Sequence, residues 1–259
     1  MDKTTIFLTT VVLILAGLLV FLVIAENPKK VPDKPTPAPP QENLPKVAII
    51  IDDIGNDFQV EKDISKIDAN LTLAILPFRQ DTQKAMNYFS DRELLLHLPL
   101  EPIDKKYFEE RMLKTSMSQE QIKSEFEKYL SALKGKVKGV NNHKGSRFTS
   151  NKRAMSALLQ EVRQNNLYFV DSFTIASSVG YELAKEMKVP TARRDVFLDN
   201  SDKKEEIKSR LEELIATAKK EGSAIGIGHG RAETISVLIQ ELPRYQDEIS
   251  FVPASKLVN

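Results

Sequence analysis

The chain has 259 residues with 37 basic and 36 acidic side chains, so it is nearly neutral and long enough for one large or two small domains. It contains no cysteine, which excludes disulfides, thiolate metal sites and a cysteine nucleophile, and it has only three histidines. No basic stripe stands out, so nucleic acid is not an expected partner.

Residues 6–25, IFLTTVVLILAGLLVFLVIA, carry no charge. At about 1.5 Å per residue they match the roughly 30 Å of a hydrocarbon core. A cleaved signal peptide usually has a shorter apolar region and an A-x-A-like exit, which Ile24-Ala25-Glu26 matches poorly. Residues 1–26 are therefore expected to form a transmembrane anchor. Lys3 precedes the span while Lys29, Lys30 and Lys34 follow it, a count that by itself leans toward a cytoplasmic body. Residues 28–45 hold seven of the thirteen prolines. That composition cannot bury a core, so residues 27–45 are expected to be an extended linker.

From residue 46 the pattern alternates. Apolar runs at 47–51, 71–75, 94–98, 137–141, 168–171 and 224–227, with weaker ones at 191–193 and 249–252, predict strands. The runs are continuous, as expected for parallel strands covered on both faces. Amphipathic helices fall between them. The clearest starts at Ser118, where Ser118 and Gln121 have capping-box spacing ahead of Ile122, Phe126, Leu130 and Leu133. Comparable patterns cover 150–164 and 202–219. Seven or eight β-α steps in residues 46–259 predict an α/β fold, a compact (β/α) barrel, with a doubly wound open sheet as the alternative. Gly226, Gly228 and Gly230 alternate, but neither GxGxxG nor GxxxxGK[ST] occurs, which argues against nucleotide binding.

Reactive groups of a parallel barrel lie at the C-terminal ends of its strands. Those positions hold Asp52-Asp53, His97, Asn142-His143, Asp171, Arg193-Arg194 and His229, a set that includes every histidine of the chain. Each has a plainer reading. Asp52-Asp53 before Ile54-Gly55 could be an ordinary turn, His97 a core histidine, His229 a helix cap, and Arg193-Arg194-Asp195 a surface ion pair. Their joint placement is what points to a site. One carboxylate and two imidazoles suit zinc, with iron, cobalt or manganese as alternatives, and three protein ligands leave a position for water. A second carboxylate could then take a proton and a further histidine could give one.

The motifs AIIIDDIGND, LTLAILPF, LLLHLPLEP, GVNNHKGSRFTSN, YFVDSFT, ARRDVFLDN and IGIGHGR, spread over residues 47–231, resemble the divergent polysaccharide deacetylases, relatives of the NodB-type carbohydrate deacetylases. The resemblance implies a distorted (β/α)7–8 barrel that removes acetyl groups from sugars. It implies Asp52 as general base, Asp53 as metal ligand, His97 as the first histidine of the His-x-x-x-His motif, and His229 as the group that assists the leaving amine. Arg147 and Asp171 lie near further motif positions. The second metal histidine of the NodB pattern is replaced by Glu101. His143 is the candidate for the missing ligand and Glu101 the alternative. Asn142, Ser146, Arg147, Asp171, Arg193 and Arg194 are candidates for substrate contact or ligand support.

The resulting expectation is a zinc-dependent deacetylase of an envelope or cell-wall polysaccharide. Because NodB-type enzymes act on envelope glycans, the resemblance favours a barrel outside the cytoplasm despite the lysine count. The competing expectation is a non-catalytic module that binds glycan or a cell-wall partner in the same cleft.

Overall fold

The computed structural model describes residue 2 and residues 44–259, so the expected anchor and nearly all of the linker lie outside the described residues. No helix among the described residues is long and apolar enough to cross a membrane. In chain order the elements are β1 (Lys46–Ile54), α1 (Phe58–Glu61), β2 (Leu71–Ile75), α2 (Thr82–Tyr88), β3 (Glu93–Leu100), α3 (Gln119–Ala132), β4 (Gly139–Lys144), α4 (Ser146–Thr149) and α5 (Lys152–Gln164). There follow β5 (Tyr168–Asp171), α6 (Gly180–Glu186), β6 (Thr191–Arg193), β7 (Val196–Phe197), α7 (Lys204–Glu221), β8 (Ser223–His229), α8 (Ala232–Glu241) and β9 (Ser250–Phe251).

All strand pairs are parallel, in the order β6-β5-β4-β3-β2-β1-β8-β7. That order is cyclic and has no reversal of the kind that defines a doubly wound sheet. The two edge strands, β6 and β7, are joined only by Arg194 and Asp195. Their consecutive amides donate to Asp171 O on β5 and Ile225 O on β8, near opposite ends of the order. The result is an open, curled parallel sheet, a half-barrel consistent with a distorted (β/α) barrel, with one short segment running between its edges. β9 pairs with Lys46 and Val47 of β1, where β2 has not yet begun.

The period of two in the strands sorts their side chains onto two faces. The convex face carries the larger core, with Ile49, Ile51, Leu73, Leu96 and Val140 packed against Phe126 of α3, Leu158 of α5 and Leu214 of α7. Burying each such side chain contributes about 1.5–3 kcal/mol. The concave face is filled by a separate cluster that includes Ala48, Ile50, Leu95, Val170, Ile225 and Ile227. Near its floor, Glu93 Oε1 accepts from Thr72 Oγ1, Tyr168 OH and Ser255 N, and Leu257 and Val258 pack against the cluster. The histidines and the Asp52-Asp53 pair lie toward the other end, where the strands finish.

Local signals set several boundaries. The Ser118–Gln121 capping box forms and starts α3. α5 starts later than the pattern at 150 suggested, because Asn151 rather than Ser150 caps it by accepting from Ala154 N. α7 ends at Gly222, whose φ of 86° suits glycine.

Candidate metal centre

Following the concave face upward leads to the site. On β1 the series Ala48, Ile50 continues to Asp52; on β3 Leu95 continues to His97; on β8 Ile225, Ile227 continue to His229. On β4, Asn141 and His143 share that face. His97, within the expected run 94–98, is the fifth residue of the eight-residue β3, whereas Asp52, Asp53, Asn142 and His143, expected just past the runs 47–51 and 137–141, lie within the longer strands β1 and β4. Alternation would turn Asp53 away from the concave face. Its φ of 64° and the register shift between Ile51 and Ile54 break the alternation and bring it back. A left-handed backbone at a non-glycine residue is a strained arrangement that persists where the surroundings hold it, commonly at sites.

Asp53 Oδ1 lies 3.0 Å from His143 Nδ1 and 3.2 Å from His97 Nε2, and the two imidazole nitrogens are 3.1 Å apart. This oxygen is buried, and its near polar neighbours are those two ring nitrogens. Three donors with metal bonds of about 2.0–2.1 Å in tetrahedral geometry sit ~3.3 Å apart. The observed triangle is close to that, and the donor set fits a divalent cation; Asp53, His97 and His143 form a candidate metal-binding triad. The remaining ring nitrogens are both engaged, His97 Nδ1 with Asn141 Oδ1 at 2.8 Å and His143 Nε2 with Glu109 Oε1 at 2.9 Å. Such outer contacts orient metal-binding imidazoles.

Two further groups flank the triad. Asp52 is 3 % exposed, accepts from Asn141 Nδ2 at 2.7 Å and places Oδ2 3.7 Å from His97 Nε2. Burial pushes its carboxyl pKa up, against the pull of His97, His229 and the Asn141 hydrogen bond. His229, paired in register with Asp52, places Nε2 3.9 Å from Asp53 Oδ2. Its Nδ1 bonds Asp199 Oδ1 at 2.9 Å, while Asp199 Oδ2 accepts from His229 N and Thr234 Oγ1. Burial works to lower the His229 pKa, but the hydrogen bond and charge of Asp199 outweigh it and raise it. For Asp53, burial alone would raise the pKa, and the two imidazoles reverse this to hold it well below the carboxylate range. His143 is likewise opposed by burial, yet Asp53 and Glu109 push it up to about 9.

The remaining sequence candidates have other surroundings. Glu101 accepts from Thr115 N and Oγ1, both at 2.7 Å, and lies 3.6 Å from Arg147 Nε; it is not in the triad. Asn142 faces the neighbouring strand connection, accepting from Ser172 N and donating to Lys144 O. Ser146 Oγ accepts from Ile103 N. Asp171 is buried and holds the β5–α6 connection through Phe173 N, Ser178 Oγ and Tyr181 N. Arg193 is exposed and stacks over Phe173, whereas Arg194 donates to Ser172 O and Phe173 O and lies over Phe197. Gly228 and Gly230 flank His229 at close internal contacts. A Cβ at Gly228 would meet Thr234 Cγ2 at 3.2 Å, and one at Gly230 would meet Ile54 Cδ1 at 2.9 Å, so both serve internal packing.

Sequence reasoning did not single out Asn141, Glu109 or Asp199. Asp199 could have been found as the carboxylate closing the VFLD run. Asn141 has the inward register of His143, visible once the pleat is assigned.

The divergent polysaccharide deacetylase family model matches residues 49–258. Protein YibQ of Escherichia coli (strain K12) is 34% identical over 218 residues, 83% of this chain and 67% of that protein. Among solved structures, protein ATU2773 from Agrobacterium tumefaciens C58 has a TM-score of 0.76 at 23% identity, covering 83% of this chain and 90% of that one. The catalytic domain of peptidoglycan N-acetylglucosamine deacetylase from Eubacterium rectale has a TM-score of 0.53 at 14% identity, covering 88% and 94%, a likeness of fold alone. On the family match and the YibQ similarity, this chain belongs to the divergent polysaccharide deacetylases, within the NodB-like superfamily.

Proposed function

We propose that the protein is a metal-dependent hydrolase that deacetylates an envelope polysaccharide, with Asp53, His97 and His143 holding the metal, zinc being favoured. The observation that carries this reading is the convergence of a buried carboxylate oxygen, Asp53 Oδ1, with His97 Nε2 and His143 Nδ1 at separations of 3.0, 3.1 and 3.2 Å. A divalent cation bound there supplies Lewis-acid polarisation of an acyl carbonyl and acidifies water. Asp52 has no place in the triad and keeps Oδ2 free of hydrogen bonds from Asn141, so it is the general base that takes a proton from attacking water. Burial, which raises its pKa, suits that task.

His229 is the general acid. Asp199 holds its Nδ1, fixing the ring so that Nε2 faces Asp53 and can protonate the departing sugar nitrogen or oxygen. Arg194 and Asp171 shape the adjoining wall, with Arg194 anchored on backbone carbonyls of the β5–α6 connection. We further propose that residues 1–26 anchor the protein in a membrane and that residues 27–45 hold the barrel outside the cytoplasm. The uncharged run 6–25 and the proline content of 28–45 support this, together with the envelope location of polysaccharides.

Acetate release from N-acetylated and O-acetylated envelope glycans tests the proposal. Wild type should release acetate, and His229→Ala should lower kcat with little change in glycan affinity. Glycan binding without acetate release across a broad panel would transfer support to the binding-module reading.

A further inference from the structure

His143 has two ring nitrogens with different tasks, and a single carboxylate outside the triad distinguishes them. Nδ1 faces Asp53 and His97, while Nε2 lies 2.9 Å from Glu109 Oε1. Glu109 is on the connection between β3 and α3. Its Oε1 also accepts from Lys144 Nζ at 2.7 Å, and its Oε2 accepts from Arg79 Nη2 at 2.7 Å. One side chain, 19 % exposed, thus joins the connections after β2 and β3 to the end of β4. Both Glu109 oxygens thus face a cationic side chain, Lys144 on one and Arg79 on the other, the surroundings of an ionised carboxylate.

An ionised carboxylate only accepts hydrogen bonds. Opposite it, His143 Nε2 must carry the hydrogen, and in the neutral ring the lone pair then falls on Nδ1. We propose that Glu109 is a positioning residue that fixes the His143 tautomer and ring orientation presenting Nδ1 to a divalent cation beside Asp53 Oδ1 and His97 Nε2. Glu109 touches neither cation nor substrate in this role. Asn141 Oδ1 has the corresponding relation to His97, on the opposite ring nitrogen. The inference rests on the triad being a metal site.

Three variants of the full chain separate the hydrogen bond from charge and bulk. Glu109→Gln keeps a carbonyl acceptor for Nε2 and removes the charge; Glu109→Leu keeps the bulk and removes the acceptor. The chains are stripped with a chelator and titrated with cobalt(II) in competition with a chromophoric chelator, with cobalt absorption reporting ligand geometry. The wild type and Glu109→Gln should bind one ion within about threefold of each other and share a cobalt spectrum. Glu109→Leu should bind about 10–100-fold more weakly with a changed spectrum. Circular dichroism and thermal melting establish that each variant is folded. Should Glu109→Leu not fold, Glu109→Ala, which admits water beside Arg79 and Lys144, takes its place, again with weaker binding and a changed spectrum expected. Wild-type affinity and spectrum in the variant lacking the acceptor would overturn the proposal. So would a Glu109→Gln variant as impaired as Glu109→Leu, because charge rather than the acceptor would then matter. A wild type that takes up no metal would instead overturn the underlying reading of the triad.

Discussion

Asp52→Asn separates catalysis from stability. The amide is isosteric with the carboxylate and can still accept the 2.7 Å hydrogen bond from Asn141 Nδ2. It removes the proposed base and the buried charge together. Loss of a general base lowers turnover by about 10²–10⁴-fold, equivalent to roughly 3–5 kcal/mol of barrier. Stability should respond differently. Burial raises the Asp52 pKa in the fold, so the folded chain holds that proton more tightly than the unfolded chain does. As pH rises past the unfolded carboxyl value, ionisation therefore favours unfolding, and at neutral pH Asp52 works against stability. Asparagine removes that cost. Acetate release should fall at least a hundredfold, while the melting temperature of the metal-stripped chain at pH 7 stays level or rises. Turnover within threefold of wild type would refute the base assignment. A clear fall in melting temperature would mean that Asp52 is held for structure, and any lost activity would follow from that.

Other outcomes follow from the same geometry. His143→Ala should lose most of the bound metal, whereas Glu101→Ala should retain it, because the Glu101 carboxylate serves Thr115 and Arg147 instead of the triad; metal content of the two purified variants distinguishes them, and the inverse result would restore the NodB ligand spacing. Metal affinity should depend on pH with a definite sign. In the metal-free chain His143 keeps its second proton up to about pH 9, and ligation through Nδ1 must displace it. Competition titrations should show affinity falling about tenfold for each unit of pH below that value. A flat profile between pH 6.5 and 8.5 would contradict a second proton on the metal-free His143 ring in that range.

The parts of this architecture written in contiguous residues were legible from sequence. The apolar run before Asp52 is a strand because Val47 to Ile51 are all buried, and Ser118 with Gln121 marks the start of α3 through local hydrogen bonds. The three histidines could be gathered because each ends or nearly ends an apolar run. What depends on register or on distant partners was not legible. The lengths of β3 and β4 hide how far inside the strands His97 and His143 lie, because polar residues at a barrel mouth interrupt the apolar pattern before the pairing stops. Glu109 sits in an aperiodic connection and meets a histidine 34 positions away. Asp199 follows a strand of only two residues, too short to leave a pattern. The turn of Asp53 onto the concave face comes from a positive φ at an aspartate, which the neighbouring residue types do not announce.

The measurement that bears most directly on the central claim is the metal content of the purified full-length chain, taken beside acetate release before and after chelation. The account predicts about one divalent ion per chain, loss of ion and acetate release together on chelation, and recovery of both when zinc is restored. A folded chain that carries no metal and takes up none from zinc, iron, cobalt or manganese would contradict it.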